Sequence, residues 1–149
     1  MIEVTFALIK SKAIRHNLHS LVVSLILEND FTIERAQWCS LREPTIARFY
    51  SEHNGRPYWD DLVRSVSGHV IALALSRHNA VDSWRAIMGA TDPRKAAPGT
   101  LRALAIDEPV MANNIVHGSD SVASAEREIR LIFGDAIWHR INDRSPDGP

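Results

Sequence analysis

The sequence contains little that would indicate a secreted, membrane-bound or nucleic-acid-binding protein. A single cysteine, Cys39, excludes an internal disulfide framework and a cysteine-based zinc site. The longest apolar stretches, such as Val70–Leu75, are far too short to span a bilayer. A strand-like pattern starts at Ile2, where a targeting peptide would otherwise lie. We therefore expect a soluble, cytoplasmic protein without a membrane association.

Charge gives no indication of a nucleic-acid partner. The formal net charge is −1 and the isoelectric point is about 6.6. Polyanion-binding domains usually carry a strong basic excess, which is missing here. An anionic small ligand would need a local cluster of cations instead.

The chain also lacks both glycine-rich phosphate-binding motifs, G-x-G-x-x-G and G-x-x-x-x-G-K-[ST]. Its 149 residues suffice for one domain with its own core. Apolar alternation predicts a strand at Ile2–Lys10, and helical spacing predicts one helix from Ile14 to Ile26. A second strand is expected from Phe31 to about Cys39, and a third, covered on one or both faces, at "HVIALALS".

Further helices are expected at "REPTIARFYSEHNG", "YWDDLVRSV" and "NAVDSWRAIM", each ended by a glycine or a serine–glycine pair. After two irregular stretches, a brief strand "NIVH" precedes a helix whose inward stripe would be Val122, Ala125, Ile129, Ile132 and Phe133. This order predicts an α+β protein, a ferredoxin-like α/β sandwich with a four-stranded antiparallel sheet (βαββαβ) covered by helices.

The segment "NNIVHGSDSVASAEREI", Asn113–Ile129, combines a histidine with residues that could orient it. A neutral imidazole can attack phosphorus if a second group fixes its tautomer. Glu128 lies beside the apolar stripe of the following helix, so it could reach His117 directly or through Ser119. Gly118 permits close backbone approach, and Asp120 or Ser121 could cap the helix. These residues alone also fit a mere turn and helix cap, and both interpretations stay open.

The same segment resembles the signature N-x-x-H-G-S-D-S-x-x-S-A-x-x-E-I of the nucleoside diphosphate kinases. "TFALIK", "RFYSEHNGRPYWDDLV" and "WRAIMGATDPRKAAPGTLR" resemble further family segments, so the likeness runs from about Thr5 to Phe133. "RFYSEH" and "SWRAIMG" are most similar to the divergent branch of the family. The resemblance implies a domain at residues 1–138 and a short, flexible tail at 139–149.

By this resemblance, the chain transfers a γ-phosphoryl group from a nucleoside triphosphate to a diphosphate, in a ping-pong reaction through phospho-His117. The resemblance assigns supporting catalytic roles to Ser119, Glu128 and Tyr50. It assigns nucleotide binding to a wider set: Lys10, Tyr58, Leu62, Arg85, Thr91, Arg102 and Asn114. Within this set the two arginines and Lys10 would bind phosphates, Tyr58 and Leu62 the base, and Asn114 the sugar.

The cofactor implied is Mg²⁺, carried by the nucleotide phosphates and not by a protein metal site. The implied partners are ATP and other nucleoside tri- and diphosphates, and further copies of the chain. A homo-hexamer is favoured, with a dimer or tetramer as alternatives.

Two segments depart from the family pattern where phosphates should bind. The usual K-P-D after the first strand is Lys10-Ser11-Lys12, and the usual G-D-[FY] after Arg102 is Ala103-Leu104-Ala105. Two extra residues lie between Arg102 and Asn114, and one is missing between Leu62 and Gly68. An alternative function is therefore a nucleotide-binding or scaffold homologue with weak or no turnover, and a third is an interaction module that uses the exposed loop.

Overall fold

The computed structural model describes residues 1–143, which form one four-stranded sheet with helices on both faces. The strands are β1 (Ile2–Ile9), β2 (Thr32–Leu41), β3 (Gly68–His78) and β4 (Val116–Gly118). The helices are α1 (Ser11–Arg15), α2 (His19–Glu28), α3 (Glu43–Phe49), α4 (Trp59–Val66), α5 (Ala80–Met88), α6 (Val122–Phe133) and α7 (Asp135–Asn142).

The strand order is β2-β3-β1-β4, and every neighbouring pair is antiparallel. This order confirms the predicted ferredoxin-like α/β sandwich. Because β1 and β3 are central, their side chains are buried alternately on the two faces. Phe6 and Leu8 join one core and Ala7 and Ile9 the other, which explains why the sequence of β3 is almost continuously apolar.

The two faces have separate cores. Helices α3, α4, α6 and α7 cover the Phe6 face, where Ile129 and Trp138 are buried. Helices α1, α2 and α5 cover the opposite face, where Val22 and Trp84 are buried. Since β1 belongs to both cores, its C-terminal end is held rigidly at the centre of the molecule.

The prediction of one helix from Ile14 to Ile26 was wrong. The helix is interrupted at Asn17, which has a φ of +57°, and continues as α2 from His19. Asparagine tolerates this left-handed conformation better than most residues. The apolar spacing runs on across the break because both α1 and α2 pack on the same core.

The inward stripe of α6 was predicted correctly except at its start. Ala125 and Ile129 are fully buried, whereas Val122 is 51% exposed. Ser121 caps the helix by accepting a hydrogen bond from the backbone N–H of Ser124, as predicted for this position. Val122 therefore lies in the first turn of the helix, before the helix packs on the sheet.

At the C-terminal end, α7 continues to Asn142, and Ile141 packs in the core. The predicted domain limit after residue 138 thus falls inside a helix. Residues 144–149 of the predicted flexible tail lie outside the described residues. No helix within residues 1–143 is long and apolar enough to cross a membrane.

Candidate active site

The pairing of β1 with β4 brings the ends of two distant segments together. Leu8 is paired with His117, and Lys10 follows directly after the last residue of β1. The short edge strand β4 therefore sets His117 next to the central strand β1, near Lys10.

A strained turn precedes β4. Ile115 has a φ of +78°, and the backbone N–H of Val116 donates to the carbonyl of Asn114 at 2.9 Å. This i→i+2 bond around a positive φ describes a γ-turn, a rare and costly conformation for a β-branched residue. The turn persists because Ile115 is buried and its carbonyl accepts a hydrogen bond from the backbone N–H of Lys10. It reverses the chain sharply between Asn114 and His117.

His117 is held from both ring nitrogens. Its Nε2 lies 2.6 Å from Oε1 of Glu128, and its Nδ1 lies 3.3 Å from the hydroxyl of Tyr50. Glu128 is only 3% exposed, on the buried side of α6. A carboxylate can only accept, so Nε2 carries the proton and Nδ1 keeps its lone pair. Burial raises the pKa of Tyr50, with the Glu128 charge adding to it, so its hydroxyl stays protonated and can donate to Nδ1.

The ring is also packed tightly. Phe49 contacts it in a T-shaped arrangement at 5.0 Å between centroids, and Trp84 donates its indole N–H to the His117 carbonyl at 3.2 Å. A Cβ at position 118 would lie 2.5 Å from Trp84, so Gly118 is required for this close approach. Aromatic packing and two polar contacts together fix the orientation of the imidazole.

His117 lies at the base of a cleft of about 870 Å³, a size suited to a small molecule. Tyr50 and all the residues predicted to bind nucleotide line this cleft: Lys10, Tyr58, Leu62, Arg85, Thr91, Arg102 and Asn114. Ser119 and Glu128 lie behind its wall. Asp61 and Asp120 are the carboxylates of the lining, against four Lys or Arg side chains that include Lys95.

Lys10 is a buried lysine with one free donor. Its Nζ donates to the carbonyl of Ala112 at 2.8 Å and to Oδ1 of Asn114 at 2.9 Å. Burial, and next the positive charge of Arg102, lower the pKa of Lys10 to about 7. Because an ammonium group has three N–H donors, the third remains for an anion in the cleft.

Arg102 is anchored in the cleft wall by two carbonyls. Nη1 donates to Gly89 and Nη2 to Val116, each at 3.1 Å. Burial lowers the pKa of Arg102 to about 10, which leaves it charged at neutral pH. Arg85 is exposed and makes a long contact of 3.4 Å with the carbonyl of Asp120. One cation is thus fixed and the other is free to move toward a ligand.

Asn114 links Lys10 to the loop that carries Thr91. Its side-chain N–H donates to the Thr91 carbonyl at 2.8 Å while its oxygen accepts from Lys10. At the mouth of the cleft, the Tyr58 hydroxyl is 2.8 Å from Nδ1 of His53, and the Tyr58 ring is 41% exposed beside Leu62. The cleft thus has a cationic floor and an aromatic rim.

Of the two routes left open between Glu128 and His117, the direct one is present. Ser119 is fully buried and exchanges hydrogen bonds with the backbone of Phe6, whose N–H donates to it at 3.2 Å. Ser119 therefore fastens the start of the helix segment to β1, and of Ser119 and Glu128 only Glu128 contacts the imidazole.

Several residues of the site were not identified from the sequence. Phe49 and Trp84 are buried core positions of α3 and α5, and His53 lies in the 3₁₀ turn after α3. Their contacts with His117 and Tyr58 depend on how α3, α4 and α5 pack, which no local pattern encodes. A tryptophan preceding the R-A-I-M-G segment was the one available signal.

No group of three or more His, Cys, Asp or Glu side chains within residues 1–143 could hold a metal ion. Among the charged side chains of the cleft lining, four Lys or Arg side chains face two carboxylates, a balance that attracts phosphate oxygens and not a bare cation. The residues therefore fit a metal that is coordinated mainly by a polyphosphate.

Known proteins similar to this chain agree on one family. Residues 3–137 match the family model described as nucleoside diphosphate kinase. The nucleoside diphosphate kinase of Deinococcus radiodurans is 40% identical over 134 residues, which cover 89% of this chain and 96% of the relative. That of Bdellovibrio bacteriovorus is 43% identical over 133 residues, covering 89% of this chain and 93% of the relative.

Solved structures show the same likeness. The apo nucleoside diphosphate kinase of Encephalitozoon cuniculi superposes with a TM-score of 0.83 at 32% identity, covering 91% of both chains. The enzyme of Halobacterium salinarum, solved in complex with CDP, superposes with a TM-score of 0.82 at 28% identity, covering 91% of this chain and 90% of that one.

Proposed function

This chain belongs to the nucleoside diphosphate kinase family and is a phosphotransferase, and we propose that Nδ1 of His117 carries the phosphoryl group. The observation that carries this proposal is the 2.6 Å contact between Nε2 of His117 and Glu128. It occupies one ring nitrogen and leaves the other with its lone pair beside the cleft. Membership of the family favours the enzyme over a scaffold homologue without turnover.

In the first half-reaction, the Nδ1 lone pair attacks the γ-phosphorus of a bound nucleoside triphosphate. The bond from the γ-phosphorus to the β–γ bridging oxygen breaks, and the nucleoside diphosphate leaves with that oxygen. The imidazole gains positive charge as the N–P bond forms, and the Glu128 carboxylate stabilises it through Nε2–H. In the second half-reaction, a terminal oxygen of the acceptor diphosphate attacks the same phosphorus and His117 leaves with its lone pair restored.

Charge stabilisation of the phosphoryl group falls to the cations of the cleft floor. We assign phosphate contacts to Lys10, Arg85 and Arg102, because phosphoryl transfer depends on positioning and charge stabilisation. The free N–H of Lys10 and the mobile guanidinium of Arg85 are suited to follow the phosphates through the reaction. The Thr91 hydroxyl is assigned to the same phosphates.

The rest of the nucleotide is assigned to the outer part of the cleft. Tyr58 and Leu62 would hold the base between an aromatic face and an aliphatic side chain, which suits any base because each has a π-face. Asn114 keeps one N–H and one lone pair beyond its contacts with Thr91 and Lys10, enough for a sugar hydroxyl.

A divalent metal belongs to the family's reaction, and we propose that Mg²⁺ would enter the cleft with the nucleotide phosphates. It would neutralise part of the polyphosphate charge there. The residues of this chain that would neutralise the rest of that charge are the cleft cations, among which Arg85 donates to the backbone carbonyl of Asp120.

We also propose that the chain forms a homo-oligomer. β2 lies at the edge of the sheet, is largely exposed, and carries Trp38 at 60% exposure. A long edge strand with an exposed tryptophan favours pairing with a second chain. A cytoplasmic location is proposed from the nucleotide substrates and the unpaired Cys39.

Acid-labile phosphoryl labelling of the protein tests whether His117 is the phosphoryl carrier. Incubation with γ-labelled ATP and Mg²⁺ is expected to label the protein, and added GDP is expected to remove the label as GTP. The variant His117→Ala should fold and take up no label, while His139→Ala should behave as the wild type. Folded wild-type protein without label, or label that persists in His117→Ala, would contradict the proposal.

A further inference from the structure

An ion pair lies behind the cleft, between two segments that depart from the family pattern. Lys12, in α1, pairs with Glu108, which lies between the 3₁₀ turn Arg102–Ala105 and β4. The Glu108 side chain is 8% exposed and that of Lys12 34%. Both line a separate cavity of about 250 Å³, and neither lines the cleft. Any influence on the nucleotide must therefore pass through other residues.

Glu108 also organises the turn that follows it. Its Oε1 accepts from the side-chain amide of Asn113 at 3.2 Å and from the backbone N–H of Val110 at 3.4 Å. The backbone N–H of Asn113 in turn donates to the carbonyl of Val110 at 2.9 Å. One carboxylate thus ties the beginning and the end of segment 108–113 together.

That segment supplies a ligand of Lys10. The Ala112 carbonyl accepts a hydrogen bond from Nζ of Lys10, and the side-chain oxygen of Asn114, immediately beyond the segment, accepts another. On the other side, α1 starts directly after Lys10 and is fixed by the hydrogen bond from the Ser11 hydroxyl to the Ser67 carbonyl at 2.9 Å. Lys10 and Lys12 are therefore joined both through the chain and through Glu108.

We propose that the Lys12–Glu108 pair is a positioning device for Lys10, with Glu108 holding segment 108–113 so that Ala112 and Asn114 aim the Lys10 ammonium into the cleft. This inference rests on the proposed function, because it assumes that Lys10 binds phosphate. Two of the departures from the family pattern thus form one contact. Lys12, in the altered segment after β1, has its partner Glu108 in the lengthened segment between Arg102 and Asn114.

The experiment measures the dissociation constant of ADP for variants of Glu108. Glu108→Ala removes the ion pair and both turn contacts. About tenfold weaker ADP binding is expected, because the Lys10 ammonium is no longer oriented toward the cleft. Glu108→Gln keeps an acceptor for Val110, Asn113 and Lys12, and binding within about threefold of the wild type is expected. Asp107→Ala is the matched control, since Asp107 is an exposed neighbouring carboxylate that lines the same cavity as Lys12 and Glu108.

The sign of the effect separates positioning from simple electrostatics. Removing a negative charge near an anionic ligand would by itself tighten binding. Asp107→Ala should therefore bind ADP equally or slightly more tightly, whereas Glu108→Ala should bind it more weakly. Tighter binding in both variants would overturn the proposal.

A double-mutant cycle tests whether the effect passes through Lys10. In a Lys10→Met background, Glu108→Ala is expected to cause no further weakening, because there is no ammonium left to position. Additive losses would reduce Glu108 to a general stabilising residue and refute the inference. If Glu108→Ala does not fold, Lys12→Met enters the same cycle with the same two outcomes.

Equilibrium binding keeps this inference separate from the proposed function. A wild-type chain that binds ADP but forms no phosphohistidine would refute the carrier mechanism and leave the cycle fully interpretable. A chain that labels normally, with additive losses in the cycle, would refute only the positioning role. A wild type that binds no ADP would refute both.

Discussion

Lys10 is unusual at the residue scale because its charge depends on pH near neutrality. A surface lysine stays charged to above pH 10, whereas burial and the neighbouring Arg102 lower the pKa of Lys10 to about 7. In the free protein this side chain is therefore partly neutral at neutral pH, and an anionic ligand would restore its charge. Binding and protonation are thus linked at this position.

The linkage predicts proton uptake on ADP binding at pH 8.5. In the free protein Lys10 is then mostly neutral, and a polyphosphate beside it favours the ammonium form, so about one proton should be taken up. Below pH 6 Lys10 is already protonated and the contribution from this group should vanish. Calorimetric titrations without Mg²⁺, in buffers of different ionisation enthalpy, measure the number of protons directly.

Lys10→Met serves as the control for this measurement. It should bind ADP with little proton uptake at pH 8.5, since the ADP phosphates are themselves fully ionised there. Equal uptake by the wild type and by Lys10→Met would assign the proton to another group and contradict the prediction.

At the element scale, the site depends on how α5 packs against β4. Trp84 is fully buried and reaches the backbone of His117 only because Gly118 has no side chain. The amphipathic pattern of α5 was evident in the sequence, and so was a permissive glycine after the histidine. The sequence did not reveal which helix approaches that glycine, because the approach depends on the order of the strands in the sheet.

Gly118→Ala should destabilise the protein by about 3 kcal/mol, near the upper end for an overpacked core. The added Cβ would lie 2.5 Å from Trp84 and 2.6 Å from Met88, and the buried indole has no room to withdraw. The free energy of unfolding from denaturant titration gives the magnitude, and the phosphoryl-transfer rate should fall because His117 is displaced.

Gly134→Ala is the matched control. Gly134 has φ +93° and ψ 161°, a conformation that almost only glycine adopts, but a Cβ added there would meet no heavy atom within 4 Å, so backbone strain of about 1–3 kcal/mol is expected without a steric clash. Its activity should match the wild type, since Gly134 lies between α6 and α7, away from the cleft. Similar losses of stability and activity in both variants would show that the contact with Trp84 is unimportant.

Structural elements were predictable from the sequence where the interactions that determine them act over only a few residues. Strands, most helices and the Ser121 cap were predicted correctly because alternation and capping act over a few residues. The break at Asn17 and the exposure of Val122 were missed, since both depend on where the helices meet the sheet. In the site, the histidine and its carboxylate were found from one segment, whereas Phe49 and Trp84 reach it through tertiary packing.

At the scale of the whole molecule, the sheet is asymmetric. β4 is short and leads into the site, whereas β2 has ten residues and an exposed outer side. Natural proteins usually protect such an edge with charges, bulges or a partner. Here β2 has a register irregularity between Ile33 and Arg35 but exposes Trp38 beyond it.

If the chain forms the proposed homo-oligomer, Trp38→Lys is expected to shift it toward smaller species. A lysine on a pairing edge would bring like charges together across a two-fold interface and remove apolar contact area. Light scattering coupled to size-exclusion chromatography gives the mass. Val122→Lys, at a similarly exposed apolar position on α6, should leave the mass unchanged. A wild type that is monomeric, or an unchanged mass for Trp38→Lys, would contradict the prediction.

In the proposed mechanism, the orientation of the His117 ring determines the chemical isomer of the phosphorylated intermediate. With Nε2 bound to Glu128, phosphorylation at Nδ1 yields 1-phosphohistidine and not 3-phosphohistidine. An antibody specific for the 3-isomer would thus report an unmodified protein even at full occupancy. Immunodetection of this intermediate in cell extracts requires a reagent for the 1-isomer and handling that avoids acid and heat.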